Sequence, residues 1–196
     1  MGSRPFCHDA PVTTTSYALL GLLALQPWAT YELAQQVRRG LAWFWPGAER
    51  KVYDEPKRLV AEGYATAREE LSGRRKRTVY EITPEGRAAL RAWLAEPSVA
   101  PSLEDEAMVR VLFADGGDLA SLRATLAAME EGARGRLAQL AAIEGGAQPF
   151  PERGHIGALA MRLRQEQERT TLAWAAWARA EVDGWRATDD PGPARP

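Results

Sequence analysis

Tyr17, Leu19, Leu20, Leu22, Leu23 and Leu25 crowd into one short stretch between the hydroxyl run Thr13-Thr14-Thr15-Ser16 and the stop at Gln26-Pro27. Hydroxyls ahead of an apolar run supply N-caps, and a proline ends the helix that follows. A helix so apolar around its circumference cannot lie on a surface. It must be the centre of a small domain, and the segments after it must wrap around it.

Those segments are short and well punctuated. Thr30 is placed to cap a second helix with the apolar stripe Tyr31, Leu33, Ala34 and Val37, with Arg38 and Arg39 at the negative end of its dipole and Gly40 as its exit. Leu41-Ala42-Trp43-Phe44-Trp45-Pro46 reads as a loop whose rings pack on the domain. A third helix is expected from Ala48 to Glu62, with Val52, Leu59 and Val60 inward and Gly63 as its stop. Its opposite face carries Arg50, Lys51, Asp54, Lys57 and Arg58. Pro56 interrupts this pattern, so the helix either kinks there or starts nearer Asp54.

Tyr64 to Leu71 and Thr78 to Thr83 have strand character, and Ser72-Gly73-Arg74-Arg75-Lys76-Arg77 joins them as the turn of a hairpin with four consecutive cations. Thr83-Pro84-Glu85-Gly86 then opens a helix, with Thr83 as N-cap, Pro84 where proline is favoured, and a buried stripe of Ala89, Leu90, Trp93 and Leu94. Pro97 and Pro101 bracket a linker.

Beyond it the chain becomes rich in alanine and leucine. Leu103 to Ala114 reads as one helix and Gly116-Gly117 as a turn. A long helix follows with Leu119, Leu122, Leu126, Met129, Ala133, Leu140 and Ile143 on near-heptad spacing, broken only at Arg136. After a loop containing Pro149 and Pro151, a last helix from His155 to Trp185 carries Leu159, Leu163, Thr170, Trp174 and Trp177 at three- and four-residue steps.

The expected fold is therefore mainly α with a small β-hairpin wing. Residues 1–12 form a disordered segment, residues 13–97 a winged helix-turn-helix domain, residues 98–188 a helical dimerisation arm, and residues 189–196 a disordered tail.

Composition narrows the function. The single cysteine, Cys7, excludes an internal disulfide, and with His8 and His155 it completes no zinc spacing, so no metal and no cofactor is expected. No apolar run is long enough for a membrane span or signal peptide, which points to the cytoplasm. Scattered carboxylates without a nucleophile elbow or a phosphate-cradling glycine loop argue against an enzyme. The net charge is −1, yet Thr13 to Pro97 holds thirteen Lys and Arg against ten Asp and Glu, while Ser98 to Thr188 holds ten against thirteen.

The cations fall where a winged helix meets DNA, on the third helix and on the hairpin. Arg50 and Lys51, near the start of the third helix, are candidates for base edges; Lys57 and Arg58 for phosphates; and the Tyr53 hydroxyl for a phosphate or for packing at the domain edge. Arg74, Arg75, Lys76 and Arg77 repel one another, a cost that a phosphate surface relieves. The competing readings are a solvated surface loop and a protein-interaction module without DNA binding.

These residues resemble the PadR family of transcriptional regulators, in its longer-armed, virulence-activator-type subgroup. The resemblance is carried by Ser16-Tyr17-Ala18-Leu19-Leu20-Gly21-Leu22-Leu23, Thr30-Tyr31-Glu32-Leu33, Phe44-Trp45, Val52-Tyr53, Arg58-Leu59, Glu62-Gly63-Tyr64 and Tyr80-Glu81-Ile82-Thr83-Pro84-Glu85-Gly86. Pro56 departs from it, standing where the family pattern has a helix-compatible apolar residue. The resemblance implies a homodimer that binds an inverted-repeat operator in double-stranded DNA, usually as a repressor, through the third helix and the wing.

The arm agrees with a dimer. Leu119, Leu122, Leu126, Met129, Leu140, Leu159 and Leu163 are the expected dimerisation residues, since their stripes must pack on each other and on a second chain. Such a dimer would hold two recognition helices about 34 Å apart, the spacing of successive major grooves. Some PadR proteins bind flat aromatic ligands between tryptophans, which makes Trp174 and Trp177 candidates for an effector pocket; the plainer reading of both is core or interface.

Overall fold

A computed structural model describes residues 12–73, 75–146, 149–190 and 192, apart from the side chains of Ser72 and Arg75. Cys7, His8, Arg74 and most of both proposed tails lie outside the described residues. The chain divides into two compact units, Met1–Ala100 and Pro101–Pro196.

The first unit is built on α1 (Thr14–Leu23), whose Leu19, Leu20 and Leu23 are buried. Its start is fixed reciprocally: the Thr13 hydroxyl accepts the Ser16 N–H, and the Ser16 hydroxyl accepts the Thr13 N–H at 2.9 Å. A two-residue strand, β1 (Trp28–Ala29), leads into α2 (Thr30–Arg39). Thr30 is thus not the cap. Ala29 takes that position, and the Glu32 carboxylate reaches back to its N–H at 3.0 Å. Tyr31, expected in the buried stripe, is 65% exposed because it opens the first turn on the side away from Leu33, Ala34 and Val37.

The expected third helix is two helices. α3 (Gly47–Lys51) and α4 (Glu55–Ala61) are separated by a turn at Val52 to Asp54. Pro56 falls in the first turn of α4, where its missing N–H has no helical partner to lose. Of the two paths the proline allowed, the chain takes the restart at Asp54.

β2 (Ala65–Ser72) and β3 (Arg75–Ile82) pair antiparallel from Ala65 opposite Ile82 to Ser72 opposite Arg75, and β1 adds to the other edge of β3. The strands run further than the sequence suggested, leaving only Gly73 and Arg74 as the connection. Gly73 has φ +61°, the left-handed region a tight hairpin turn requires.

α5 (Pro84–Ala95) starts at Thr83, whose hydroxyl accepts the Gly86 N–H at 3.0 Å and donates to the Gly63 carbonyl at 2.8 Å. A Cβ on Gly86 would stand 2.1 Å from the Tyr64 carbonyl oxygen, so the glycine of Thr-Pro-Glu-Gly is a packing requirement. The expected stripe of this helix is shallower than predicted within its unit. Ala89, Leu90 and Trp93 are half-buried and Leu94 is exposed.

The second unit holds α6 (Glu106–Leu112), α7 (Leu119–Glu144) and α8 (Gly154–Val182). α6 is shorter than the expected Leu103 to Ala114 because Asp105 caps it, accepting the Met108 N–H at 3.2 Å, and Leu103 stays exposed. α7 and α8 run antiparallel, with Arg123 against Asp183 at one end and Arg136 against Glu168 further along. Leu122 and Leu126 meet Ala178 and Val182 in a core flanked by Leu119, Met129 and Trp174.

Candidate nucleic-acid interface

α3 presents Arg50 and Lys51 to solvent, and among the described residues neither side chain has a hydrogen bond or ion pair. The helix is buried on the other side through Ala48, and Val52 follows buried in the turn. Tyr53, in the same turn, is half exposed. Lys57 is exposed on α4 and pairs loosely with Asp54 at 3.2 Å. Arg50, Lys51, Tyr53 and Lys57 are all accessible to a ligand.

Arg58 is not. It was expected beside Lys57 on the outer face, but it lies half-buried at the edge of that face, drawn towards α1 by its partners. Its Nε donates to Glu55 Oε1 at 3.1 Å, its Nη2 reaches both Glu55 and the buried Ser16 hydroxyl, and Nη1 lies 3.7 Å from Glu62. Turning to a phosphate would leave the nearly buried carboxylates of Glu55 and Glu62, their side chains 9% and 15% exposed, without their cation, which sets Arg58 apart from the outward cations.

On the wing, Lys76 and Arg77 belong to β3 rather than to a loop, so they point to opposite faces of the hairpin. Lys76 pairs with Glu69 at 3.0 Å; Arg77 forks to Glu32 at 3.0 Å and Glu70 at 2.9 Å. Hydrogen bonds from Arg68, and then from Arg77, hold the Glu70 carboxyl below the usual carboxylate range; the bond to Glu70 is also the main cause raising Arg68 above its ordinary value. Arg75 is the first residue of β3.

The sequence reading missed these carboxylates. Their signal was present: with a two-residue turn, Glu70 falls opposite Arg77 and Glu69 diagonal to Lys76. It also missed Tyr31, whose exposed ring borders a cleft of about 630 Å³ with Thr30, Glu32, Lys76 and Arg77. A hydroxyl-bearing aromatic in the first turn of a helix next to the wing was the available clue.

In the second unit the expected dimerisation residues separate into two groups. Leu122, Leu126 and Leu140 are buried within the unit, Leu119 and Met129 are half-buried, and Leu159 and Leu163 are exposed by 75% and 57%. The inward seam of α8 runs through Gln165, Glu168, Ala175, Ala178 and Val182, which leaves Ile156, Leu163, Thr170 and Trp177 outside at seven-residue intervals. Trp174 packs on the Leu122 cluster whereas Trp177 is 59% exposed, so within one chain the two indoles do not share a pocket. An open groove of about 1180 Å³ lies elsewhere in this unit, lined by Arg110, Met129, Arg136, Arg164 and Thr171 among others. Among the described residues no group of three or more His, Cys, Asp or Glu could hold a metal, and no helix is long and apolar enough to cross a membrane.

Residues 19–92, which span α1 to α5 and the hairpin, match the transcriptional regulator PadR-like family; residues 103–183, α6 to α8, match the virulence activator alpha C-terminal family. The first unit thus carries a PadR-like transcriptional regulator domain and the second a virulence activator alpha C-terminal domain. Over 180 residues it is 26% identical to the negative transcriptional regulator PadR of Bacillus subtilis, covering 85% of this chain and 96% of that one. Bacillus subtilis PadR in complex with operator DNA superposes with a TM-score of 0.76 at 23% identity, covering 87% of this chain and all of that one. The Vibrio cholerae virulence activator AphA superposes with a TM-score of 0.69 at 22% identity, over 87% and 99% of the two chains. This PadR-like protein is accordingly a DNA-binding, winged-helix transcriptional regulator and not an enzyme.

Proposed function

We propose that the protein is a homodimeric repressor that grips an inverted-repeat operator, with α3 and the start of α4 in the major groove and the wing on the flanking backbone. The observation that carries this reading is the pair Arg50 and Lys51. Both are exposed and, among the described residues, without an ionic partner, on the helix that precedes the restart at Asp54. Unpaired cations give up no protein contact when they meet a base edge or phosphate. Tyr53 and Lys57 extend the surface, and Lys76 and Arg77 exchange Glu69, Glu70 and Glu32 for phosphates; the sequence adds the cations Arg74 and Arg75 just before them.

Dimerisation is supported by the seven-residue series Ile156, Leu163, Thr170 and Trp177, with Leu159 beside it, on a helix face unpartnered within its unit. This narrows the expected interface to the outer face of α8, since Leu122, Leu126 and Leu140 already serve the α7–α8 core. Repression is supported by the description of the Bacillus subtilis relative as a negative regulator. A small aromatic effector is supported by the structure of that relative with p-coumaric acid. A DNA-bound regulator of this kind works in the cytoplasm.

The test is selection of duplexes from a randomised library by the wild-type protein. We expect a two-fold symmetric site with half-site centres about one helical turn apart. Enrichment of no sequence, or of an asymmetric single site, contradicts the reading.

A further inference from the structure

α4 is only seven residues long and is cut from α3 by the turn at Val52 to Asp54. A helix of that length has no stability of its own. The turn is tied to both helices, the Asp54 N–H donating to the Lys51 carbonyl at 3.1 Å and the Asp54 carbonyl accepting the Lys57 N–H at 3.1 Å, so what holds α4 is passed back to Arg50 and Lys51. The aim of the DNA-facing segment must therefore be set by what α4 docks on.

It docks on α1 through a polar cluster in an otherwise apolar contact. Ser16 is fully buried, and its hydroxyl is used completely: it accepts from the Thr13 N–H and from Arg58, and donates to Glu55. Glu55, 7% exposed, accepts from Ser16 and from Nε and Nη2 of Arg58. Arg58 spans on to Glu62 at the C-terminal end of the helix. Leu59, next to Arg58 on the helix, is fully buried. One guanidinium thus ties both ends of α4 to one hydroxyl of α1. A lysine could not do this, since the contact uses three nitrogens of a planar fork.

We infer that Ser16, Glu55 and Arg58 form a latch that aims the DNA-reading segment, and that Arg58 is a positioning residue rather than a DNA contact. The inference rests on the DNA-binding reading above and deepens it. It makes a prediction that charge alone would not. A phosphate contact belongs to both specific and random complexes, and its loss lowers the salt dependence of both. An aiming residue spares the phosphate count and the random complex, and its loss falls on the base contacts.

The test measures binding of the full-length protein to its selected duplex and to a random duplex of equal length, across a salt series, for wild type, Arg58→Lys, Ser16→Ala and the double variant. We expect Arg58→Lys and Ser16→Ala each to weaken specific binding about tenfold, the scale of one lost base contact. Random binding should change less than twofold, the salt slope should be unchanged, and the double variant should be no worse than the poorer single one.

Three results would overturn the latch: Arg58→Lys binding like wild type, a slope that drops by about one phosphate in Arg58→Ala, or equal losses on both duplexes. The last would mark general destabilisation, which a parallel thermal melt reads directly. Wild-type protein without salt-dependent duplex binding would instead remove the DNA reading itself, and the latch with it.

Discussion

Nε of Arg136 stands 2.8 Å from Oε2 of Glu168, joining α7 to α8 at a carboxylate that is 4% exposed. Arg164 takes the other oxygen of the same carboxylate at 2.8 Å. The one residue that broke the apolar stripe of α7 is thus explained by a charged residue on the facing helix. A buried anion with two guanidiniums tolerates the loss of one better than a lone pair would, but leaves an uncompensated acceptor.

Arg136→Met should therefore cost about 2 kcal/mol of stability, read as a lower denaturant midpoint with an unchanged slope. Arg136→Met combined with Glu168→Met should recover part of that loss. An additive double variant would show that the two side chains are not coupled.

Gly86 is the most constrained glycine in the first unit. Gly86→Ala forces a methyl into the Tyr64 carbonyl and the Ile82 side chain, and the backbone of either α5 or the start of β2 must move. We expect a loss of about 3 kcal/mol or more, seen in a thermal melt. A melting temperature within two or three degrees of wild type, about the scale of 1 kcal/mol or less, would show that the contact relaxes freely.

Much of this was legible beforehand, and the failures have a common cause. The cap at Thr13, the wing, the Thr83 cap and the two long helices follow from local patterns: hydroxyls before apolar runs, β-branched residues beside a glycine turn, and heptad spacing. What could not be read was long-range. Arg58 looked free because its partners, Ser16 on α1 and the Glu55 and Glu62 carboxylates, converge on it only once α4 has docked. The wing cations looked free because their carboxylates become neighbours only when the hairpin register is fixed. Leu159 and Leu122 looked alike because periodicity finds an apolar face without saying which of two apolar faces the neighbouring helix covers.

The wing's carboxylates should act as a brake on DNA binding. Glu69→Gln with Glu70→Gln frees Lys76 and part of Arg77, and exposed pairs of this kind hold their partners only weakly. We expect duplex affinity to rise about three- to tenfold without loss of fold by circular dichroism. The brake has a definite pH dependence. Because Glu70 titrates below the ordinary carboxylate range, its pairs with Arg68 and Arg77 are present at neutral pH and are lost only as pH falls through that lowered value. The gain from Glu70→Gln should then be constant between pH 8 and pH 6. Affinity unchanged or reduced in the double variant would show that the carboxylates position the wing cations instead of competing for them.

Leu163→Glu places a charge in the exposed seven-residue series of α8. Light scattering coupled to size exclusion should report a dimer for wild type and a monomer for this variant at micromolar concentration, with helical content retained. A dimer that survives Leu163→Glu would move the interface off this face.

The central claim is that this head meets a polyanionic duplex through α3 and the wing. It is tested most directly by the slope of duplex affinity against salt for wild type and for the variant carrying alanine at Arg74, Arg75, Lys76 and Arg77 together. Each phosphate contact removed lowers that slope by about one. A fall of two or more, with affinity for random duplex lost in parallel, is the predicted result. An unchanged slope and affinity would contradict the assignment of the wing to DNA.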